Sequence, residues 1–297
     1  MKFGNVLESQ LSEIDFSLPG DHSLTQKVLG GTQTVHPKVY VGSGNWGHAS
    51  WNGNTYPTGT PAKKFRELYP LYFNTIELNA THYTIYKEEV LRSWCPSALG
   101  RDFKFCPKFP QSISHFSSFS GVDAQTDAFL KSVHAFGENL GPLFLQVSDQ
   151  FSPIKKDVLF GYLSALPNDL DVFLELRHEQ WFKDDLSWIQ TLIDIQKGLV
   201  ITDTPGRRDC VHMYLTIPKL FLRFVCNQNH PTTYNRINEW AVRIAAWMQQ
   251  GLKEVYIFLH PGDEVYIPEL VSAFITAINK ETGLSIKLPF PKQASLF

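Results

Sequence analysis

The chain has 297 residues, a length that fits either two domains or one α/β barrel of about 250 residues. Its 27 basic and 29 acidic side chains give a net charge of -2, which excludes a general positive field that would draw nucleic acid or a membrane surface. With 43% hydrophobic and 19% charged residues, the composition excludes a disordered chain and predicts a large core.

The cysteine content and the N-terminus predict a cytoplasmic protein. Cys95, Cys106, Cys210 and Cys226 show no C-x-x-C spacing, and a chain of this length needs no disulfides to stabilise a core. Residues 1–10 lack the apolar segment of a signal peptide, and nowhere do about 18 apolar residues follow one another. We therefore expect reduced thiols and no membrane partner.

Eight short apolar segments, each ending in polar or turn residues, recur along the chain. They begin at Val39, Asn74, Phe103, Leu143, Val172, Leu199, Leu220 and Glu254. Their starts are on average about 31 residues apart, which is roughly the length of one βα unit. Continuous apolar segments are typical of strands that are buried on both faces of a parallel sheet.

Helical patterns lie between most of these predicted strands. They cover residues 63–72, 124–136, 155–166, 184–197, 236–250 and 268–280. The 21 residues from Leu199 to Leu220 leave no room for a full helix and predict a loop or a single turn. The alternation predicts an α/β fold, a single (β/α)8 barrel of the TIM type, with a doubly wound open sheet as the alternative.

The barrel assignment divides the chain into three parts. Residues 1–34 precede the first strand and are expected to form an N-terminal arm that packs on the barrel. Residues 35–288 form the barrel itself. Residues 289–297 contain Pro289 and Pro291 and are expected to form a short extended C-terminal tail.

Polar side chains gather at the C-terminal ends of the predicted strands, which open on one face of a barrel. Alternate residues of a strand point the same way, so Glu77 and Asn79 share one face, as do Glu175 and Arg177. The other strand ends, or the loops after them, carry Lys108, Gln146, Asp203, Arg223, His48, His82, His115, His178 and His260. The sequence therefore predicts a mouth that contains both signs of charge and several imidazoles.

Three interpretations of this mouth stay open. The two glutamates could form a buried ion-pair network with Arg177 and Arg223, since buried charges need partners. The additional Lys108 favours instead a pocket for an anionic or polyhydroxylated ligand. Several side chains are also of the types that bind zinc or manganese, namely Glu77, His82, His115, Glu175, His178, Asp203 and His260. Because Lys108 and Arg177 would repel a metal, no cofactor is predicted, and a divalent metal is kept as the alternative.

Six segments in order resemble the YecE-like family, a domain of unknown function. They are VGSGNWGHASWNGNTYP, YFNTIELNATHYTIY, FKFCPKFPQSISH, GPLFLQVSDQF, FLELRHEQWF and ITDT. The resemblance runs from about Val39 to Leu259 and implies a TIM-type barrel with a polar mouth and no established activity. The motif positions are Trp46, Trp51, Tyr56, Pro57, Glu77, Asn79, Tyr83, Lys108, His115, Gln146, Glu175, Arg177, His178, Trp181, Asp203 and Arg223.

Two strand ends depart from the family pattern. The seventh predicted strand is followed by Val225-Cys226-Asn227, where a His-Gly pair is common in the family. The eighth ends in Phe258-Leu259-His260, where two asparagines are common. Functional roles at these two ends therefore do not carry over by resemblance.

The first function hypothesis is an enzyme that acts on a phosphate-bearing substrate, a nucleotide or nucleic acid, as a phosphodiesterase or nuclease-like hydrolase. Glu77 or Glu175 is then the general base and His115 or His178 the acid, and Asp203 completes the catalytic set. The expected substrate-binding residues are Trp46, Asn79, Tyr83, Lys108, Gln146, Arg177, Trp181 and Arg223. The alternatives are a nucleotide-binding or nucleic-acid-binding module without turnover, and a carbohydrate-active enzyme that uses Glu77 and Glu175 as paired carboxylates.

The last five residues, QASLF, resemble the short Q-x-x-L-F peptide by which bacterial DNA repair and replication proteins dock on the sliding clamp. In such docking Gln293 would make polar contacts, and Leu296 and Phe297 would fill an apolar pocket. The alternative is that the two hydrophobic residues pack on the barrel's own helices. The tail thus predicts the bacterial sliding clamp as a partner. Docking on the clamp would bring the protein close to DNA without the need for a basic surface on the barrel.

Overall fold

Eight parallel strands form a nearly closed barrel in the computed structural model, which describes residues 3–183 and 186–287. They are β1 (Lys38–Ser43), β2 (Thr75–Leu78), β3 (Lys104–Pro107), β4 (Leu143–Gln146), β5 (Val172–Glu175), β6 (Gly198–Asp203), β7 (Lys219–Val225) and β8 (Glu254–His260). The strand order is β3-β2-β1-β8-β7-β6-β5-β4. Isolated bridges from Phe105 to Leu140 and from Lys108 to Phe144 link β3 to β4, and this confirms the predicted TIM-type barrel.

The barrel interior is filled mainly by inward-facing side chains of the strands. This inner cluster consists of Tyr40, Cys106, Phe144, Phe173, Val200, Ile217, Phe221, Tyr256 and Phe258. The outward-facing side chains of the strands pack under the helices in a second, larger apolar cluster. Because strand side chains alternate, the residue two positions after each inner core residue also points inward, toward the mouth.

The described helices surround this barrel. They are α1 (Ser23–Leu29), α2 (Phe65–Tyr72), α3 (Ala80–Tyr83), α4 (Glu88–Arg92), α5 (Asp123–Val133), α6 (Lys156–Ala165), α7 (Trp188–Asp194), α8 (Pro231–Gln250) and α9 (Ile267–Thr282). All six predicted helical segments are confirmed with shifted ends, whereas α1, α3 and α4 were not predicted. No described helix combines the length and the apolar character needed to cross a bilayer.

The helix α8 shows how local sequence sets an element's ends. It begins at Pro231, whose missing N–H costs nothing in the first turn, and the ring of His230 accepts the N–H of Thr232. It ends at Gln250. The next residue, Gly251, has a φ of +119° and lies so close to the arm that a Cβ would overlap the carbonyl oxygen of Leu29. The prediction began this helix five residues late because the early turns carry few apolar residues.

The connection from β6 to β7 contains only a short turn at Arg208–Cys210, as its length predicts. The N-terminal segment packs against this connection. Thr25 Oγ1 donates to Met213 O at 2.9 Å and accepts the N–H of Leu215 at 3.0 Å. Since both partners belong to the connection, the arm covers the part of the barrel wall that has no full helix of its own.

Candidate functional site

The C-terminal strand ends bring six polar side chains together at the mouth of the barrel. They are Glu77, Lys108, Gln146, Glu175, Arg223 and His260, and all are buried. Five of them stand two residues after an inner core residue, Cys106, Phe144, Phe173, Phe221 or Phe258. The alternation of inward and outward positions therefore continues from the apolar interior into a polar top layer.

Arg223 forms the centre of this layer, because its guanidinium bridges both glutamates. Its Nε and Nη2 atoms donate to the two carboxylate oxygens of Glu77, each at 2.8 Å. Its Nη1 atom donates to Glu175 Oε2 at 2.8 Å and to Oε1 at 3.0 Å. The buried ion-pair network that the sequence left open is thus present, and it joins β2, β5 and β7 across the barrel.

Further donors occupy the same two carboxylates. Glu175 Oε1 accepts Arg177 Nε at 3.0 Å and Thr202 Oγ1 at 3.2 Å. Burial alone would raise the pKa of Glu175, but the charges of Arg177 and Arg223 outweigh it and lower that pKa to about 2. A carboxylate with so low a pKa is a weak base, so the surroundings of Glu175 do not favour the general-base role that the sequence suggested.

Glu77 is held in the same way. Asn79 Nδ2 donates to its Oε1 at 2.8 Å, and His260 Nε2 lies 3.2 Å from its Oε2. Burial would raise its pKa, but the charge of Arg223 and the nearby His260 keep it well below the ordinary value. Asn79 therefore acts here as a hydrogen-bond partner of the ion-pair network.

Lys108 differs from the other charged groups of the mouth. Its side chain is 7% exposed, and Nζ donates to Gln146 Oε1 at 2.9 Å. Within residues 3–183 and 186–287, no carboxylate lies within ion-pair distance of this ammonium. Burial lowers the pKa of Lys108 to about 8, and the charge of Arg223 contributes to the lowering.

Two histidines lie beside Lys108. The rings of His82 and His115 are 5.1 Å apart, edge to face. His82 Nδ1 is 2.8 Å from the carbonyl oxygen of Phe109, so Nδ1 carries the proton and donates it, and Nε2 keeps its lone pair. Burial and the charge of Lys108 lower the pKa of His82 to about 4 and also lower that of His115, so both imidazoles are neutral at pH 7.

Asp203 does not join the mouth. Val200 and Thr202 are the inward residues of β6. Asp203 follows Thr202, so its side chain points outward, toward the helices. There it accepts Arg236 Nη2 at 2.8 Å and Trp240 Nε1 at 2.7 Å and also pairs with Arg208. It anchors α8 and the β6–β7 connection to the barrel.

Two tryptophans expected at the mouth also pack elsewhere. Trp181 is fully buried beneath the loops, where its Nε1 donates to Phe151 O at 2.8 Å. Trp46 is partly buried and packs edge-on against Tyr69 and Trp94, outside the barrel interior. Neither ring is positioned to stack on a ligand in the mouth.

The remaining predicted site residues lie on the rim. Tyr83 is 70% exposed and stands beside His82, with 5.3 Å between the two rings. His178 Nδ1 accepts the N–H of Gln180 at 3.2 Å and so caps the turn that contains Trp181. His115 Nδ1 lies 2.7 Å from Ser114 Oγ.

The N-terminal arm reaches the rim, which the sequence did not predict. Arg177 Cζ lies 4.4 Å from the centre of the Phe3 ring, and Arg207 Cζ lies 5.2 Å from it. Thr204 Oγ1 donates to Phe3 O at 3.0 Å. An isolated phenylalanine in an irregular segment carries no periodic signal, so only the tertiary structure shows this contact.

The described residues contain no cluster of three His, Cys, Asp or Glu side chains that could hold a metal ion. The two mouth carboxylates instead direct their oxygens at Arg223 and its neighbours. The suggested clamp-binding residues, Gln293, Leu296 and Phe297, lie outside the described residues.

Comparisons with known proteins agree with the sequence resemblance. The chain is 27% identical over 281 residues to the UPF0759 protein YecE of Escherichia coli K12, covering 87% of this chain and all of YecE. A crystal structure of a DUF72 family protein from Enterococcus faecalis V583 superposes with a TM-score of 0.62 at 18% identity, covering 85% of this chain and 100% of that chain. One from Thermotoga maritima MSB8 gives 0.62 at 19% identity, over 82% of this chain and 99% of that one. A family model described as "Protein of unknown function DUF72" matches residues 40–294, and the chain belongs to this family.

Proposed function

We propose that the mouth of the barrel binds a small anionic ligand that carries a phosphate group. Lys108 supplies the principal charge, and Arg177 supplies a second cation at the rim. Neutral His82 and His115 stand beside Lys108 as hydrogen-bonding groups. A nucleotide or a sugar phosphate fits this description. The end of a nucleic-acid strand is a larger ligand that carries the same phosphate group.

The single observation that carries this proposal is the ammonium of Lys108. Buried charges are normally paired, because desolvating an isolated ion is costly. Lys108 is 7% exposed and is hydrogen-bonded to a neutral amide rather than to a described carboxylate. The two glutamates of the mouth are already shared between Arg177 and Arg223. A bound anion would supply the missing partner of Lys108.

The same geometry guides the choice among the reaction classes. If the protein is a hydrolase, the imidazoles of His82 and His115 are better placed for proton transfer than Glu77 and Glu175, which are fixed as anions by arginine. A carbohydrate enzyme with paired carboxylates needs one carboxyl group that can carry a proton. The lowered pKa values of both glutamates do not favour that alternative.

Calorimetric titration with inorganic phosphate, adenosine monophosphate and glucose tests this function at fixed ionic strength. We expect the two phosphate compounds to bind and glucose not to bind. Lys108→Met should weaken phosphate binding about 10- to 100-fold, since a charged hydrogen bond is lost. The exposed Lys63→Met is the matched control and should bind as the wild type does. Binding of glucose alone, or equal phosphate affinity in both variants, would refute the proposal.

Two further parts of the proposal rest on the sequence. The described cysteines are free, which supports a cytoplasmic location. The C-terminal Q-x-x-L-F sequence supports docking on the bacterial sliding clamp, which would bring the mouth close to DNA. Clamp docking and anion binding use separate parts of the chain and can be tested separately.

A further inference from the structure

We propose that Lys108 is a nucleophile, which forms an imine with an aldehyde or ketone carbonyl of the phosphate-bearing ligand. This inference rests on the proposed function, because the second cation of the anion site, Arg177 at the rim, is what holds the phosphate of the carbonyl compound once Lys108 has lost its proton. It narrows the ligand class to phosphorylated aldehydes and ketones. It also gives Lys108 a catalytic role that simple charge pairing would not require.

Hydrogen bonds hold both the backbone and the side chain of Lys108 in place. Its N–H donates to Leu78 O at 3.2 Å, and its carbonyl accepts Thr81 Oγ1 at 2.8 Å. The side chain then enters the mouth, where Nζ donates to Gln146 and lies 5.7 Å from the centre of the Phe144 ring. An amine in such a place is rigidly positioned and largely shielded from water, as covalent catalysis requires.

The surroundings favour the neutral, reactive form of the amine. Burial and the charge of Arg223 act against protonation of Lys108, Arg177 adds to this effect, and Glu175 and Glu77 oppose it. A lysine that is desolvated and next to other cations is a known way of activating this nucleophile. With a pKa of about 8, a far larger fraction of the Lys108 side chains is neutral near neutral pH than of an ordinary lysine.

The imine step balances without an additional reagent. The lone pair of Nζ attacks the carbonyl carbon, and the carbonyl oxygen takes up a proton as the nitrogen loses one. The resulting carbinolamine expels that oxygen as water after a second proton transfer, and the C=N bond forms. We assign these proton transfers to the neutral imidazoles of His82 and His115, whose pKa values the charge of Lys108 lowers.

Reductive trapping tests the proposal on the full-length protein. Glyceraldehyde 3-phosphate is added with cyanoborohydride, and the products are analysed by intact mass and peptide mapping. We expect the main lysine adduct to map to Lys108 and to form at least ten times faster than adducts on exposed lysines such as Lys63. Inorganic phosphate should slow the labelling of Lys108 and leave that of Lys63 unchanged. The α-amino group, whose ordinary pKa is close to 8, serves as an internal comparison for intrinsic reactivity.

Two controls separate this inference from anion binding. Lys108→Arg keeps the positive charge but cannot form the imine, so trapping should disappear, whereas Lys63→Arg should be labelled at Lys108 like the wild type. The wild-type peptide map does not depend on how well the Lys108 variant folds. Binding of glycerol 3-phosphate, which has no carbonyl, is measured in parallel by calorimetry.

The outcomes are distinct. If glycerol 3-phosphate binds and no adduct forms on Lys108, the imine proposal is overturned and the anion site stands. If glycerol 3-phosphate does not bind and Lys108 is labelled no faster than exposed lysines, both proposals fail. Phosphate-sensitive labelling at Lys108 supports both.

Discussion

Replacing Lys108 by methionine should stabilise the fold at neutral pH, although it removes the central group of the proposed site. A pKa lowered from 10.5 to about 8 corresponds to a penalty of about 3 kcal/mol for keeping the ammonium charged inside the folded protein. Methionine fills a similar volume without this penalty. Gln146 loses its donor, which costs about 1 kcal/mol or somewhat more. We therefore expect Lys108→Met to raise the free energy of unfolding by about 1 to 2 kcal/mol at pH 7.

The sign of the pH dependence follows from the lowered pKa. Well below pH 8, Lys108 is protonated in the folded and the unfolded protein, and the full penalty is present. Between about pH 8 and pH 10.5 the folded protein loses this proton first, so the penalty disappears. The advantage of the variant should therefore shrink across this interval.

Chemical denaturation at pH 7 and at pH 10 measures both effects. Lys63→Met, at an exposed position, is the control and should change stability by less than about 0.5 kcal/mol at either pH. If Lys108→Met lowers the free energy of unfolding at pH 7, the ammonium is a net stabilising group. The account of it as a buried charge without a carboxylate partner would then be wrong.

Three other predictions concern the network, the metal question and the tail. Arg223→Met should lower the free energy of unfolding by about 3 to 5 kcal/mol in denaturant melts, because Glu77 and Glu175 lose their shared partner. A loss under about 1 kcal/mol would contradict the ion-pair network. Elemental analysis should find less than stoichiometric zinc or manganese, and a full equivalent lost in Glu175→Ala would restore the metal hypothesis. A chain ending at Lys292 should lose binding to the sliding clamp in a titration, and equal binding by the full chain would exclude the docking motif.

The strand ends show how far the alternation of inward and outward side chains could be used to predict the site from the sequence. From the sequence, Glu77, Glu175 and Arg223 were expected at one mouth, and the structure joins them through one guanidinium. The same reasoning placed Asp203 there and was wrong about its direction. A strand buried on both faces has no alternation of polar and apolar residues, so its sequence does not show whether Thr202 or Asp203 points inward.

Loop residues were less predictable than strand residues. Trp181 follows a strand end, as a ligand-stacking ring would, but it is buried under its own loop with its N–H satisfied by Phe151. The contact of Phe3 with Arg177 joins residues that are 174 positions apart in the sequence. Both arrangements depend on how loops fold over the barrel, which local composition does not specify.

The amino-acid sequence by itself determined the eightfold alternation, the missing helix after β6 and the set of charged residues at the strand ends. These features follow from local chemistry, because apolar segments of fixed spacing form strands and a short connection has no room for a helix. Only the tertiary structure decided which charges neutralise one another. Arg223 reaches both glutamates because barrel closure brings three distant strands to one axis. Among the described charged groups of the mouth, this leaves the Lys108 ammonium with a neutral partner, Gln146.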